Sequence, residues 1–450
     1  RIFYMNKDLT VGKPSQVLWQ FCLPMFGSII FQQLYNIADS LVAGKFIGEN
    51  ALAAVGNSYE ITLIFIAFAF GCNIGCSVIV SRYFGAKDYD EMKTSVYTSL
   101  IGSAVLCAVL MLIGLVGCHS LLELINTPEE ILADSSLYLD IYVLGLPFMF
   151  FYNIATGIFS ALGDSKTPFW FLLLSTVLNI LLDLFCILVL GWGVAGAAIA
   201  TVFSQGVSAI LCYIYMMRRF DILKTTPAER KFDGALACTL MYIGVPMGLQ
   251  FSITAIGSIM LQSANNALGT ACVAAFTAAM RIKMFFMCPF ESLGMAMATY
   301  SGQNYGAGKP ERIWMGVKAS ALMMIVYWAF TFCVLMFGAR TFALLFVDAS
   351  ELEILKNTEL FLHISVSFFP VLGLLCILRY TIQGVGYTNL AMLSGVSEMI
   401  ARILVSLLAV PAFGYLVVCF GDPTAWIFAD AFLIPAFIYV YRRILRMKKN

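Results

Sequence analysis

The feature that most constrains this chain is a series of apolar segments, each about 20 residues long, that recurs along the whole sequence. A helix of that length spans the ~30 Å hydrocarbon core of a bilayer. Because 61% of the 450 residues are hydrophobic and only 12% are charged, a single water-soluble core is excluded. The pattern predicts an all-α membrane protein whose surroundings are the lipid bilayer. The twelve predicted transmembrane helices cover residues 16–44, 54–84, 94–118, 136–161, 167–190, 194–217, 238–264, 272–301, 314–339, 355–385, 389–411 and 424–444.

The basic residues are sorted between the two sides of this series. Of 27 Lys and Arg residues, 20 fall at one set of alternate junctions, whereas only Lys45, Arg340 and Lys356 fall at the other set. The positive-inside rule therefore predicts a multi-pass plasma (inner) membrane protein with both termini in the cytoplasm. The net charge of +1, without a basic run interleaved with aromatic residues, gives no reason to expect a nucleic acid partner.

The two halves of the chain repeat one another. Pro24 aligns with Pro246 (246 − 24 = 222), and SRYFGAKDYDEM from Ser81 aligns with GQNYGAGKPERI from Gly302 (302 − 81 = 221). With six helices in each half, the repeats share one orientation, which predicts two lobes related by a pseudo-twofold axis along the membrane normal, around a central cavity. The predicted regions are an N-lobe at 1–217, a cytoplasmic linker at 218–237 and a C-lobe at 238–450.

Polar residues inside the helices break the repeat. At these positions the first half holds acidic and amide side chains and the second half holds other residues, so the N-lobe carries carboxylates there that the C-lobe lacks. The pairs are Asp39 with Met260 or Leu261, Asn179 with Arg402, and Asp183 with Ser406.

These N-lobe residues are predicted to form a cation site. Counting from the nearest helix ends places Asp39, Asp183 and Thr201 roughly 9 to 12 Å inside the outer boundary, in one layer. Asn179 precedes Asp183 by one helical turn and shares its face. Carboxylate, amide and hydroxyl oxygens suit a small cation such as Na⁺, while two close carboxylates could instead bind protons. The alternative is a structural role in which Asp39 and Asp183 bond backbone groups at helix breaks.

Three stretches identify a family resemblance. They are LNILLDLFCILVLGWGVAGAAIAT from Leu178, QQLYNIADS ahead of IGENALAAVG, and GQNYGAGK from Gly302. Together they resemble the multidrug and toxic compound extrusion (MATE) family, most closely its DinF-like bacterial branch. The resemblance implies two six-helix lobes around a central cavity, and drug export coupled to Na⁺ or H⁺ influx.

The same resemblance implies which residues bind the coupling ion. The N-lobe cation site of the family falls on Asp39, Asn179, Asp183 and Thr201, each of the matching residue type. Some branches also place acidic residues in the seventh and tenth helices. This chain has Gln250 and Gln262 in the seventh helix and no acid in the core of the tenth, so coupling through the N-lobe is expected.

Other charged residues in the predicted helices are candidates for substrate binding or structural pairing. Glu398 and Arg402 lie one turn apart, which favours an ion pair within one helix. Arg379 is expected to find an acid on another helix, either Glu398 or Glu291. Glu291 is also a candidate for attracting a cationic drug.

A gate and a hinge are also predicted. Glu60 and Arg281 are repeat equivalents (281 − 60 = 221) and are candidates for an ion pair between the lobes, with two separately solvated charges as the alternative. Pro24 removes a backbone hydrogen bond from the first helix and is the expected bending point.

These features predict a monomeric secondary active exporter of cationic or amphipathic organic compounds, driven by antiport of Na⁺ or H⁺ through alternating access. No cofactor is expected besides the coupling ion, and no catalytic residues are expected, since neither a nucleophile and base nor an HExxH metal set is present. The alternative is a flippase for lipid-linked saccharides or another amphiphile, which would line its cavity with several basic residues.

Overall fold

A computed structural model describes residues 8–46, 49–124, 129–219 and 231–450, except the side chains of residues 35–46, 49–57, 59 and 60. These residues form sixteen α-helices without a β-strand. π-helical turns at Phe185–Val189 and Val405–Ala409 follow the sixth and thirteenth helices. The helices are α1 Pro14–Phe46, α2 Glu49–Gly85, α3 Tyr89–Leu124, α4 Glu129–Leu144, α5 Leu146–Ala161, α6 Lys166–Leu184, α7 Val194–Arg219, α8 Gly234–Asn266, α9 Thr270–Gly306, α10 Pro310–Ala343, α11 Leu352–Ser367, α12 Phe369–Val385, α13 Thr388–Leu404, α14 Val410–Phe413, α15 Tyr415–Cys419 and α16 Gly421–Lys449.

The prediction of twelve transmembrane helices is confirmed. In the described part of the chain, ten helices are long and apolar enough to cross a bilayer, and two bent pairs complete the twelve. α4 and α5 meet at 50°, and α11 and α12 meet at 51°. Pro147 and Pro370 lie in the first turn of α5 and α12, where a missing N–H is tolerated, but their rings prevent the preceding helix from continuing. Pro24 and Pro246 instead lie inside the unbroken helices α1 and α8.

The internal repeat is visible in the backbone. Lys87 and Gly308 (308 − 87 = 221) both have positive φ, 59° and 70°, in the turns that join α2 to α3 and α9 to α10. In each turn the next amide donates to the carbonyl oxygen five residues earlier, at 3.0 and 2.9 Å. Gly163 and Gly386 (386 − 163 = 223) form a second pair of left-handed turns, ahead of α6 and α13. Equivalent helices therefore end in the same local geometry.

Contacts divide the protein into two compact units. Among the residues that the structure describes, unit 1 comprises Asp8 and those within 27–248, and unit 2 comprises residues 9–26 and 249–450. The division passes through α1 and α8, each of which contributes one part to either unit. The predicted linker at 218–237 stays a prediction, because its residues 220–230 lie outside the described part of the structure. α1 passes from unit 2 to unit 1 after Phe26, and α8 passes from unit 1 to unit 2 after Gly248. The two positions are equivalent in the repeat (248 − 26 = 222).

Close helix packing explains why the first part of α8 belongs to unit 1. A Cβ atom on Gly71 of α2 would lie 2.8 Å from the carbonyl oxygen of Gly244 of α8, and a Cβ on Gly244 would lie 2.6 Å from the carbonyl oxygen of Gly71. Gly75 approaches the carbonyl oxygen of Leu240 just as closely. The two backbones can approach this far only because glycine has no side chain.

The first part of α1 is held by unit 2 in two ways. Leu18 and Phe21 are fully buried in its apolar core, which is formed mainly by α9, α10, α12 and α16. Ahead of the helix, the Arg312 guanidinium donates to the carbonyl oxygens of Gly12 at 2.9 Å and Leu9 at 3.1 Å. The Leu9 amide in turn donates to Oε1 of Gln303 at 2.9 Å. The side chains of Gln303 and Arg312, which flank the turn between α9 and α10, thus bind the segment that leads into α1.

Candidate functional site

Two of the four predicted cation-site residues, Asn179 and Thr201, are in contact in unit 1, where α6 packs on α7. Nδ2 of Asn179 lies 3.4 Å from Oγ1 of Thr201, to which it donates, and Oγ1 of Thr201 donates to the carbonyl oxygen of Ala197 at 3.1 Å. Asp183 lies one turn beyond Asn179 on α6 and is 1% exposed. Asn179 and Thr201 are also buried. Amide, carboxylate and hydroxyl groups are therefore gathered in an apolar setting.

The local sequence explains how these side chains are positioned. α6 ends directly after Asp183, and its regular hydrogen bonding gives way to the π turn Phe185–Val189, an irregularity that often accompanies functional sites. Gly191 and Gly193 then adopt positive φ of 65° and 63°, which lets the chain reverse into α7. A Cβ on Gly196 would lie 3.1 Å from Cβ of Cys186, so this glycine allows α7 to approach the π turn closely.

Asp39 lies in α1, and its side chain is outside the described part of the structure. Its place in the cluster remains a prediction. The donor set formed by the other three residues suits a small hard cation, because carboxylate, amide and hydroxyl oxygens are the ligands that such ions prefer. Burial of Asp183 also makes its charge costly without a cation or proton beside it. The residues that the structure describes therefore fit either coupling ion.

Unit 2 contains a buried network of charged side chains instead. Nζ of Lys283 on α9 bonds Oδ2 of Asp422 at the start of α16. Oδ1 of Asp422 accepts from Nε of Arg402 on α13 at 3.0 Å, and NH1 of Arg402 bonds Oε2 of Glu398 at 3.1 Å. The other carboxylate oxygen of Glu398 bonds NH2 of Arg379 on α12. Positive and negative side chains alternate along this network, so each charge has a neighbour of opposite sign.

Part of this network follows the sequence prediction. The ion pair between Glu398 and Arg402 is present within one helix, and Arg379 pairs with Glu398 across two helices while donating to Oγ of Ser394 at 2.8 Å. Pairing accounts for the burial of all three residues. The further possibility that they bind substrate directly stays a prediction.

Buried carboxylates also occur in the second half, at positions other than those compared in the repeat. Unit 2 buries Glu398, Asp422 and Asp430, on α13 and α16 rather than on the seventh and tenth predicted helices. Sequence reasoning missed Asp422 because it falls in the first turn of α16, where an acidic residue is ordinary. The number of basic residues inside the helices was the signal that could have indicated a further acid. Lys283, Arg379 and Arg402 need more than one carboxylate to compensate their charges.

The remaining candidates lie apart from this network. Arg281 and Glu291 are both exposed on α9. The side chain of Glu60 is outside the described residues, so its ion pair with Arg281 stays a prediction. The roles of Glu291 in attracting a drug and of Pro24 in bending α1 also stay predictions.

The fold and the buried polar clusters of the two units define a class of protein. It is a polytopic helical membrane protein with duplicated six-helix halves. The model of the MatE family matches the chain twice, at residues 24–185 and 246–408, and the two matches begin 222 residues apart (246 − 24 = 222). Together they cover well over half of the chain. The chain belongs to the MatE family of membrane transporters.

Individual proteins agree with this assignment. The chain is 29% identical over 343 residues to the probable multidrug resistance protein YoeA of Bacillus subtilis, covering 71% of this chain and 73% of that protein. It is 30% identical over 306 residues to the probable multidrug resistance protein YpnP of the same organism, covering 68% of each. A crystal structure of MATE in complex with MaL6 superposes with a TM-score of 0.90 at 24% identity, covering 98% of this chain and 99% of that one. This structural likeness confirms the twelve-helix, two-lobe fold.

Proposed function

We propose that this protein is a multidrug exporter of the plasma membrane, with both termini in the cytoplasm, that exchanges cationic or amphipathic organic compounds for Na⁺ or H⁺. The observation that carries the proposal is the buried group of Asn179, Asp183 and Thr201 in unit 1. The names of two relatives, both probable multidrug resistance proteins, support the substrate class.

The energetics of Asp183 explain how an ion gradient drives export. A carboxylate inside a bilayer costs ~2.5 to 3.5 kcal/mol on insertion scales, so it strongly favours a state in which a cation or proton neutralises it. One charge moving down a potential of 100 mV supplies ~2.3 kcal/mol. In this scheme the cation binds one conformation better and the drug binds the other conformation better. Cation binding then shifts the population toward the first conformation and lowers the affinity for the drug by linkage. In this scheme α1 bends near Pro24 when Asp39 and Asp183 bind the cation.

The described part of unit 2 argues against the flippase alternative. A lipid-linked saccharide carries phosphate and would require free basic side chains. Arg379, Arg402 and Lys283 are buried and paired with Glu398 or Asp422, so they are not available to an anionic substrate.

A competition experiment tests the proposal on purified protein. Binding of a fluorescent cationic dye would be titrated at increasing Na⁺ concentration at fixed pH, and at changing pH without Na⁺. We expect one of these cations to weaken dye binding to the wild type and to have no effect on Asp183→Asn. The control is Glu123→Gln, which removes an exposed carboxylate from α3. Equal cation sensitivity of Asp183→Asn and wild type would refute coupling through this site.

A further inference from the structure

Unit 2 places a permanent positive charge at the position that corresponds to the cation site of unit 1. Near these helices the repeat offset is 223, as for Gly163 with Gly386, and it aligns Asn179 with Arg402 (402 − 179 = 223). Asp183 aligns with Ser406 by the same offset. Both positions differ in charge: an amide is replaced by a guanidinium, and a carboxylate by a hydroxyl.

The local backbone supports this alignment. α6 and α13 both begin after a glycine turn with positive φ, at Gly163 and Gly386, and both end in a π turn. In unit 1 the π turn begins two residues after Asp183, and in unit 2 it includes Ser406. The next long helix packs against each of them, α7 against α6 and α16 against α13. The glycine turns therefore agree with the alignment, whereas the π turns begin 220 residues apart (405 − 185 = 220), three fewer than the offset of 223.

The Arg402 guanidinium lies between two carboxylates from different helices. Its Nε is 3.0 Å from Oδ1 of Asp422 on α16, and its NH1 is 3.1 Å from Oε2 of Glu398 on α13. The side chain is 6% exposed, and its methylene Cδ packs against Gly257 of α8. Two carboxylates at bonding distance from one buried cation constitute a cation site whose occupant is part of the chain.

Neighbouring charges hold this arrangement in place. Asp422 is also bound by Lys283, whose ammonium lies 5.2 Å from the ring centroid of Phe361 and 5.6 Å from that of Trp426. Glu398 is also bound by Arg379. With Asp430 included, the buried part of unit 2 holds three cations and three carboxylates. Without Arg402 the buried part of unit 2 would hold two cations and three carboxylates, an uncompensated negative charge.

We propose that Arg402 is a tethered cation that permanently fills, in unit 2, the counterpart of the exchangeable cation site of unit 1. This inference rests on the proposed function of Asp183 in unit 1. It follows that only unit 1 exchanges an ion during transport and that unit 2 stays in the cation-filled state. One coupling site per transporter is the consequence.

The experiment replaces the tethered cation with a free one. Arg402→Ala would be made in an Asp183→Asn background, which disables the unit 1 site, and thermal unfolding would be followed with guanidinium chloride at millimolar concentrations. Guanidinium has the same charged group as Arg402 and can enter the vacated site. We expect a saturable rise of about 2–4 °C in Tm for Arg402→Ala and none for the Asp183→Asn parent. Adding Asp422→Asn should abolish the rise.

Matched variants keep the test decisive. Arg340→Ala removes an exposed arginine from α10 and should show no response to guanidinium. If Arg402→Ala does not fold, Arg402→Gln removes the charge while keeping most of the side-chain volume, and the same rise is expected. Folded Arg402 variants that do not respond to guanidinium would overturn the proposal.

A second measurement separates this inference from the proposed function. Saturable Na⁺ or H⁺ binding would be counted on wild type and on Asp183→Asn, with one site expected in the first and none in the second. Residual binding to Asp183→Asn that is lost on adding Glu398→Gln would place an exchangeable site in unit 2 and overturn the tethered cation. Residual binding that Glu398→Gln leaves intact would count against the function proposed for Asp183, while the guanidinium response would still decide the role of Arg402.

Discussion

Asn179 of α6 donates a hydrogen bond to Thr201 of α7 across 3.4 Å, in the interior of unit 1. The Thr201 hydroxyl oxygen is therefore a candidate ligand for the coupling ion. Thr201→Val keeps the shape of the side chain but removes this oxygen. Since one hydrogen-bonding or ligand group contributes ~0.5 to 1.5 kcal/mol, we expect about 2- to 10-fold weaker apparent cation affinity.

The measurement is the cation concentration that half-saturates dye export by proteoliposomes. Thr201→Ser is the matched control, because it keeps the hydroxyl and should remain near wild type. If Thr201→Val and Thr201→Ser behave alike, the hydroxyl does not take part in ion binding.

The ion network of unit 2 predicts unequal effects on stability. Asp422→Asn deprives both Lys283 and Arg402 of a partner, which we expect to lower stability by about 3–5 kcal/mol. Lys283→Met should cost less, because Asp422 keeps its bond to Arg402. The readout is the midpoint of heat-induced loss of the monodisperse peak in size-exclusion chromatography, at one heating rate. A larger effect of Lys283→Met than of Asp422→Asn would contradict this order.

Glycine packing between α2 and α8 gives a prediction about unit 1. Gly71→Ala and Gly244→Ala would each place a methyl carbon closer than 3 Å to a backbone carbonyl oxygen, which should cost about 1–3 kcal/mol through a forced helix shift. Gly102→Ala on α3 meets nothing within 4 Å and should be neutral or stabilising by about 0.4–1 kcal/mol. The same thermal assay compares the three variants, and equal midpoints for all of them would contradict the packing argument.

The binding of residues 9–12 by Arg312 also has a measurable consequence. Arg312→Gln removes both hydrogen bonds from the guanidinium to backbone carbonyl oxygens, so the segment ahead of α1 should open more often. We expect hydrogen exchange there to become about tenfold faster, which corresponds to ~1.4 kcal/mol. Arg340→Gln, on the same helix but exposed, is the control and should leave exchange unchanged. Unchanged exchange in Arg312→Gln would show that the segment is held by other contacts.

Much of the fold could be read from the sequence, because bilayer thickness sets helix length and the repeat offset confines the alternatives. Counting residues from helix ends predicted Asp183 and Thr201 in one layer and Asn179 one turn deeper, but it did not predict that Asn179 bonds Thr201. The pairing of Lys283 with Asp422 was not predicted either, because 139 residues separate them and periodicity does not determine which helices become neighbours. The division of α1 and α8 between the units could not be predicted for the same reason, because it depends on contacts between helices such as that of Gly71 with Gly244.

Coupling of drug export to an ion gradient through Asp183 can be tested in one transport experiment. The most direct measurement is efflux of a fluorescent cationic dye from proteoliposomes under Na⁺ and H⁺ gradients imposed separately, with Asp183→Asn beside wild type. We expect export by wild type under one of the two gradients and its loss in Asp183→Asn, although the variant protein remains folded. Gradient-driven export that persists in Asp183→Asn, or dye movement independent of any gradient, would contradict it.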